Sequence, residues 1–291
     1  MNSENIRSNI KKYIKPAIVL LIVIALLLFC SYQNRHLETT YYTYKAEQFG
    51  ADLEGYRIVQ ISDLHNAKFG KHNQKLVDRV RECEPDMIVL TGDLVDSNHT
   101  NVDRAVQFVD EIVKICPVYY VTGNHEYWLE KSEYDELMDG LASAGAVILD
   151  DQVVEISRGD AKFRLVGLDD KNLADGTLGT LLNNDQNVAH EDSEKKEFTV
   201  VLAHEPQYLA RYAGTGVDLV LSGHAHGGQF RLPFVGGIVA PDQGFLPEYT
   251  AGEYYMNGTE MIVSRGLGNS VIPVRLFNYP EIVCVELVGK H

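Results

Sequence analysis

From Arg57 onward the chain repeats one pattern: a short apolar run, a polar cluster, then a stretch with helical spacing. The apolar runs are 57–62 (RIVQIS), 86–91 (DMIVLT), 117–122 (PVYYVT), 198–203 (FTVVLA) and 217–222 (VDLVLS). Near-continuous Val, Ile and Leu suits strands covered on both faces. Helical spacing marks 72–83, 102–115 and 132–143, the last with Ser132 as the expected N-cap over Glu133 and Asp135. Strands alternating with helices predict an α/β fold with largely parallel pairing. The stretch 146–168 reads instead as hairpins, and 253–287 is β-rich, so two packed sheets flanked by helices are expected. Residues 183–197 carry charge without periodicity and read as a solvated loop.

Ahead of this pattern the chain is of another kind. Residues 17–30 (AIVLLIVIALLLFC) are unbroken apolar sequence, flanked by Tyr13 and Tyr32. As a helix, 13–32 would rise about 30 Å, the thickness of a bilayer's hydrocarbon. Arg7, Lys11, Lys12 and Lys15 precede it against the single acid Glu4, and that basic flank predicts a cytoplasmic N-terminus with everything after Tyr32 outside. A cleavable signal needs an A-x-A-like run of small residues before the cut, and nothing like it follows Phe29. The expected organisation is a basic N-terminus over 1–15, a transmembrane anchor over 16–32, a Tyr-rich juxtamembrane strand or spacer over 33–50, and a catalytic domain over 51–291.

Composition narrows the classes. With 291 residues, 45% of them apolar, the chain can bury a sizeable core and is not disordered. The net charge of −15 argues against a general electrostatic grip on nucleic acid, so no nucleic-acid partner is expected. Four scattered cysteines without a CxxC exclude a disulfide scaffold and a Cys-rich zinc module.

Candidate chemistry stands at the end of each of the five strands. In order these are Asp63-Leu64-His65, Gly92-Asp93-Leu94-Val95-Asp96, Gly123-Asn124-His125-Glu126, His204-Glu205-Pro206 and Gly223-His224-Ala225-His226. The carboxyl ends of strands in open α/β sheets are where ligands bind, so the five clusters should converge. Aspartates sharing one pocket repel unless cations neutralise them. Imidazole, carboxylate and amide oxygen without thiolate suit Mn, Fe or Zn, and there are more donors than one octahedral ion needs, which favours two divalent metal ions. Glycine at 92, 123 and 223 is expected to turn the backbone sharply between strand and ligand.

The series D-x-H, G-D-x-x-D, G-N-H-E, a lone His and G-H-x-H resembles the calcineurin-like metallophosphoesterase superfamily, over roughly residues 56–287. The resemblance implies a four-layer αββα sandwich of two mixed sheets with a dinuclear centre. Asp63, His65 and His226 would hold one metal, Asn124, His204 and His224 the other, and Asp93 would bridge them. His125 matches the catalytic histidine, which protonates the leaving group or steadies phosphoryl oxygens, and Asp96 matches the carboxylate that orients it. The nucleophile implied is a hydroxide bridging the two ions. SDLH with Phe69-Gly70, GHAHGGQ and the tail SRGLGNS…PVRLFNYPEI are similar to the membrane-associated bacterial subgroup, some of whose members cleave phosphodiesters or the pyrophosphate of a UDP-linked lipid A precursor. Arg265 is a further candidate, for binding a substrate phosphate.

The expected function is therefore an anchored, extracytoplasmic, two-metal phosphoesterase acting on phosphodiester or pyrophosphate bonds of an envelope lipid or polymer. A phosphomonoesterase or phosphoprotein phosphatase, and a metal-binding scaffold without catalysis, are the alternatives.

Overall fold

Strand residues alternate between two apolar environments, and the alternation builds the layers of this protein. The computed structural model describes residues 3–46, 49, 51–173, 176–186 and 197–289. One six-stranded sheet contains β1 (Glu38–Ala46), β2 (Tyr56–Ile61), β3 (Met87–Thr91), β4 (Val118–Val121), β5 (Val147–Ile148) and the last strand, β16 (Glu281–Gly289), in the order β1-β16-β2-β3-β4-β5. The second contains β6 (Gln152–Arg158), β7 (Ala161–Gly167), β8 (Thr199–Leu202), β9 (Leu219–Ser222), β14 (Gly252–Met256) and β15 (Thr259–Val263), in the order β14-β15-β9-β8-β7-β6. Both are mixed: β2, β3, β4 and β5 pair in parallel, as do β7, β8, β9 and β15, with antiparallel partners at β16, β6 and β14. Between β9 and β14 the chain makes two small hairpins from β10 (Arg231–Leu232), β11 (Gly236–Gly237), β12 (Val239–Ala240) and β13 (Gly244–Phe245).

Period-two side-chain direction explains how both faces fill. Ile58, Met87, Val89 and Val121 of the first sheet meet Leu165, Val200, Leu202, Leu219 and Ile262 of the second in one buried cluster between the sheets. Their neighbours Val59, Ile61, Ile88, Leu90 and Tyr120 face the opposite way, into a cluster with Leu76, Val80, Ala105, Phe108, Val109, Leu137 and Leu141. The latter belong to α2 (Gln74–Glu82), α3 (Val102–Ile112) and α5 (Lys131–Ala144). On the far side Val166, Val201, Val220 and Met261 pack with Leu178 and Leu182 of α6 (Thr177–Gln186) and with Leu209 and Tyr212 of α7 (Leu209–Tyr212). The architecture is thus helices, sheet, sheet, helices, as expected.

Local details depart from the sequence reading in two places, while the juxtamembrane segment takes the strand form of the strand or spacer expected. The N-cap of α5 is Glu130, so Ser132 lies inside the first turn. The expected loop over 183–197 begins within α6 and mostly lies outside the described residues. Segment 33–50 contributes β1, which pairs in parallel with β16 over nine rungs, from Glu38 opposite Glu281 to Ala46 opposite Gly289. Before it, α1 (Ser3–Gln33) includes a 21-residue stretch, Tyr13–Gln33, long and apolar enough to cross a membrane; residues 13–28 are exposed and its C-terminal end packs on the rest of the protein, where Gln33 is buried.

Candidate metal centre

The five chemistry-bearing clusters stand where β2, β3, β4, β8 and β9 end, so three approach from one sheet and two from the other. Beneath them Gln60 crosses the seam, its Nε2 donating to Thr91 Oγ1 and to the Ser222 carbonyl, each at 2.9 Å. The loops continue the ladder past the strands: Asp63 N donates to Gly92 O at 3.1 Å, His65 N to Asp93 O at 2.9 Å, and Gly223 N to His204 O at 2.9 Å.

Seven of the predicted residues converge. Asp63, His65, Asp93 and His226 form one buried group, and Asp93, His204 and His224 a second. His65 Nε2 lies 3.2 Å from His226 Nε2 and 3.4 Å from Asp93 Oδ2, and His226 Nε2 lies 3.6 Å from Asp63 Oδ1. On the other side, His204 Nε2 lies 3.2 Å from Asn124 Oδ1, 3.2 Å from His224 Nδ1 and 3.3 Å from the same Asp93 Oδ2. Such separations match the edges of a coordination shell with bonds of about 2.0–2.2 Å.

The electrostatics ask for cations. Burial alone would raise the Asp93 carboxyl, but the facing imidazoles, His204 first, hold it well below the usual carboxylate range. Burial likewise pulls His204 down, yet Asp93 outweighs it and keeps that ring charged well above its ordinary value. His65 is pushed down to about 3, chiefly by burial, and His226 falls well below its ordinary value through burial and the nearby Arg275 charge. Both are neutral, the form that ligates metal. His204 Nδ1 faces Thr91 O at 2.7 Å and donates its proton there, so a cation beside Asp93 would take the place of the proton on Nε2. His224 Nε2 is held by Asp242 Oδ2 at 2.9 Å, which leaves Nδ1 facing the centre. The donor set fits two borderline-to-hard divalent ions sharing Asp93.

Tight backbone geometry makes the convergence possible. Asp63, His65, Asp93, His224 and His226 all adopt positive φ, between 44° and 64°, a region sparsely populated by residues with a Cβ. Gly92 does turn at φ +86°, but Gly223 serves close approach instead: a Cβ there would lie 1.9 Å from Ser62 Oγ and 2.4 Å from Asp63 Oδ2.

His125 is buried beside the first group, its ring centroid 4.5 Å from that of His65. Its Nδ1 is held by Ser97, whose N donates to it at 3.1 Å with Ser97 Oγ equally near. Asp96 lies in one buried cluster with His125 and His65, its Oδ1 accepting from Asn98 N at 2.8 Å and His99 N at 3.0 Å while Oδ2 stands 4.0 Å from His65 Nδ1. A carboxylate just before a turn is captured by the free amides of that turn. Arg265 does not reach the centre. Its Nη2 is spent on Glu38 Oε2 at 2.8 Å and Glu281 Oε1 at 2.7 Å.

Four supporting groups had escaped sequence reading. Glu126, fully buried, accepts from Gly123 N, Asp93 N and Leu94 N at 2.7–2.9 Å, tying two ligand loops together. Ser270 Oγ lies 3.0 Å from His125 Nε2. Arg275, fully buried, donates to the carbonyls of Arg265 and Gly268 at 2.8 and 2.6 Å. Asp242 positions His224. Glu126, Ser270 and Arg275 lay inside motifs already quoted and Asp242 did not, but none had been given a role, because each acts on a residue brought near by the fold.

The family profile described as calcineurin-like phosphoesterase matches residues 56–228. A metallophosphoesterase of Aquifex aeolicus is 34% identical over 88% of this chain and 95% of its own length. The phosphodiesterase YaeI of Escherichia coli is 29% identical over 80% of this chain and 82% of its own. A zebrafish (Danio rerio) transmembrane protein with a metallophosphoesterase domain is 28% identical over 83% of this chain and 55% of its own.

Proposed function

This chain belongs to the calcineurin-like phosphoesterase family, a phosphoric ester hydrolase, and from that premise we propose a membrane-anchored, two-metal enzyme that cleaves phosphodiester or pyrophosphate bonds of an envelope lipid or polymer. The observation that carries the reading is the pair of buried donor groups meeting at one oxygen of Asp93, with the His125 ring beside them. Asp63, His65 and His226 would hold one ion and Asn124, His204 and His224 the other, with Asp93 shared. Bound there, Mn, Fe or Zn ions supply Lewis-acid charge to the phosphoryl group and make water a usable nucleophile at neutral pH.

The chain's own contribution centres on His125. With Nδ1 accepting from the Ser97 amide, its proton resides on Nε2, the nitrogen that faces Ser270. In this neutral tautomer His125 donates a hydrogen bond to a phosphoryl oxygen as charge builds there. Handing a proton to the leaving group would require a second proton on Nδ1, which the Ser97 amide opposes. Of the two roles expected from the resemblance, steadying phosphoryl oxygens has the better geometric support.

The anchor is the Tyr13–Gln33 segment, oriented by its basic flank with the catalytic domain outside the cytoplasm. The test is the full chain in detergent with Mn²⁺, assayed on bis-p-nitrophenyl phosphate and p-nitrophenyl phosphate. Higher kcat/KM on the diester is expected. Faster turnover of the monoester would point to a phosphomonoesterase, and no turnover with two equivalents of metal bound would point to a scaffold without catalysis.

A further inference from the structure

The segment that closes the metal centre is also the one that meets the apolar helix. After β15, Gly268 N donates to Asp63 O at 2.6 Å, Ser270 reaches His125, and Arg275 Nη2 comes within 3.4 Å of His226 Nδ1. Two residues later the Phe277 ring packs edge-on against Phe29 of α1, centroids 5.8 Å apart. Asn34 clamps the same loop from both sides, its Nδ2 donating to Pro273 O and its Oδ1 accepting from Arg275 N, each at 2.8 Å. Gln33 Nε2 donates to Tyr279 Oη at 3.3 Å.

These contacts set a depth. Phe29 lies within the Tyr13–Gln33 stretch, and the four residues from it to the helix end rise only about 6 Å. If that stretch spans a bilayer, Phe277 beside Phe29 is carried to the interface. The surface there is apolar: Val271 is 86% and Phe277 54% exposed. The neighbouring hairpins are stitched to this loop, Arg231 N donating to Leu276 O at 2.9 Å and Gln229 Nε2 to Ile272 O and Val274 O at 2.8 Å. They leave Phe234, Val235, Phe245 and Leu246 exposed as well. Scattered exposed apolar residues are ordinary; a set joined by backbone contacts to the end of a membrane-length helix is not.

We propose that the 270–277 loop and the 231–246 hairpins form an apolar seat entering the bilayer interface at the C-terminal end of α1. The metal centre then opens onto the membrane surface, and its substrate is an amphiphile whose phosphoester headgroup enters while its acyl chains stay in the bilayer. This rests on the anchored phosphoesterase reading above. With a net charge of −15, attraction to anionic lipid does not hold this face down, so apolar insertion must. Trp128, 62% exposed with its ring 4.7 Å from that of His125, puts an interface-seeking indole beside the same mouth.

The test uses the full chain in phosphatidylcholine–phosphatidylglycerol vesicles, with and without lipids brominated near the headgroup end of their acyl chains. Val271→Trp and Phe234→Trp are compared with the parent, whose single tryptophan is Trp128. Both added indoles should be quenched by the brominated lipid, equally at low and high salt. No quenching beyond the parent's overturns the seat, as does an unquenched indole shielded in a cross-linkable dimer. The second arm is Val271→Ser combined with Phe277→Ser. Turnover of bis-p-nitrophenyl phosphate should stay unchanged, while that of the p-nitrophenyl ester of dioleoyl phosphatidic acid in vesicles should fall about tenfold or more. Equal rates of the variant and parent on both substrates overturn delivery from the bilayer. A parent that is quenched normally but hydrolyses neither substrate instead overturns the phosphoesterase reading and leaves the seat standing.

Discussion

Asp93 is the residue on which both donor groups depend, since one of its oxygens faces His65 at 3.4 Å and His204 at 3.3 Å. Asp93→Ala should therefore lose both ions, by elemental analysis, together with all activity; retention of two equivalents would sink the shared-ligand assignment. The His125 backbone N donates to Asp93 Oδ1 at 2.9 Å, a contact that survives removal of the ring. His125→Ala should keep two metal equivalents while kcat falls about 10²–10³-fold. The ligand residues themselves were legible because each stands directly behind a buried strand. Ser97, Ser270 and Arg275 were not, because nothing local distinguishes a serine that holds a histidine from one facing solvent. Arg265 misled for a related reason: its carboxylate partners, Glu38 and Glu281, are remote in sequence.

At the scale of elements, apolar runs located β2, β3, β4, β8 and β9 to within two residues, since strands buried on both faces have no polar positions to blur them. The role of β1 was less visible. Its burial alternates between half-buried and exposed, the pattern of an edge strand, and its partner is the last strand of the fold. A soluble fragment should accordingly begin at Asn34, keeping β1 and the Asn34 contacts, and should melt higher by differential scanning fluorimetry than one beginning at Thr40. At the β14–β15 hairpin, burial and the neighbouring Glu253 push Glu260 up to about 7 from an ordinary 4.5. A folded acid that holds its proton too tightly contributes stability below pH 4.5 that is lost as pH rises through about 7. Glu260→Gln should flatten the decline in Tm between those values; an unchanged decline would assign it to other groups.

Across the whole molecule, the candidate metal centre joins the two sheets at their carboxyl edges, with five of its residues in left-handed backbone. Ions bound there as proposed would couple metal binding to folding. Chelation should lower Tm by about 5–10 °C relative to protein with ions at a hundredfold excess over Kd. No shift would mean that the ligand loops keep their form unaided. The layered architecture itself was readable from the strand–helix alternation together with the resemblance, while the contacts of the end of α1 and Asn34 with the 270–279 loop were not, because they link residues about 240 positions apart.

The nine parallel rungs between β1 and β16 also bear on mechanics. If α1 is embedded in lipid as proposed, drag on it loads β1 lengthwise, so the rungs resist in shear together instead of unzipping singly. On that reading the tether is stiff, and a membrane-borne substrate arrives by diffusing sideways to a mouth held at fixed height and heading.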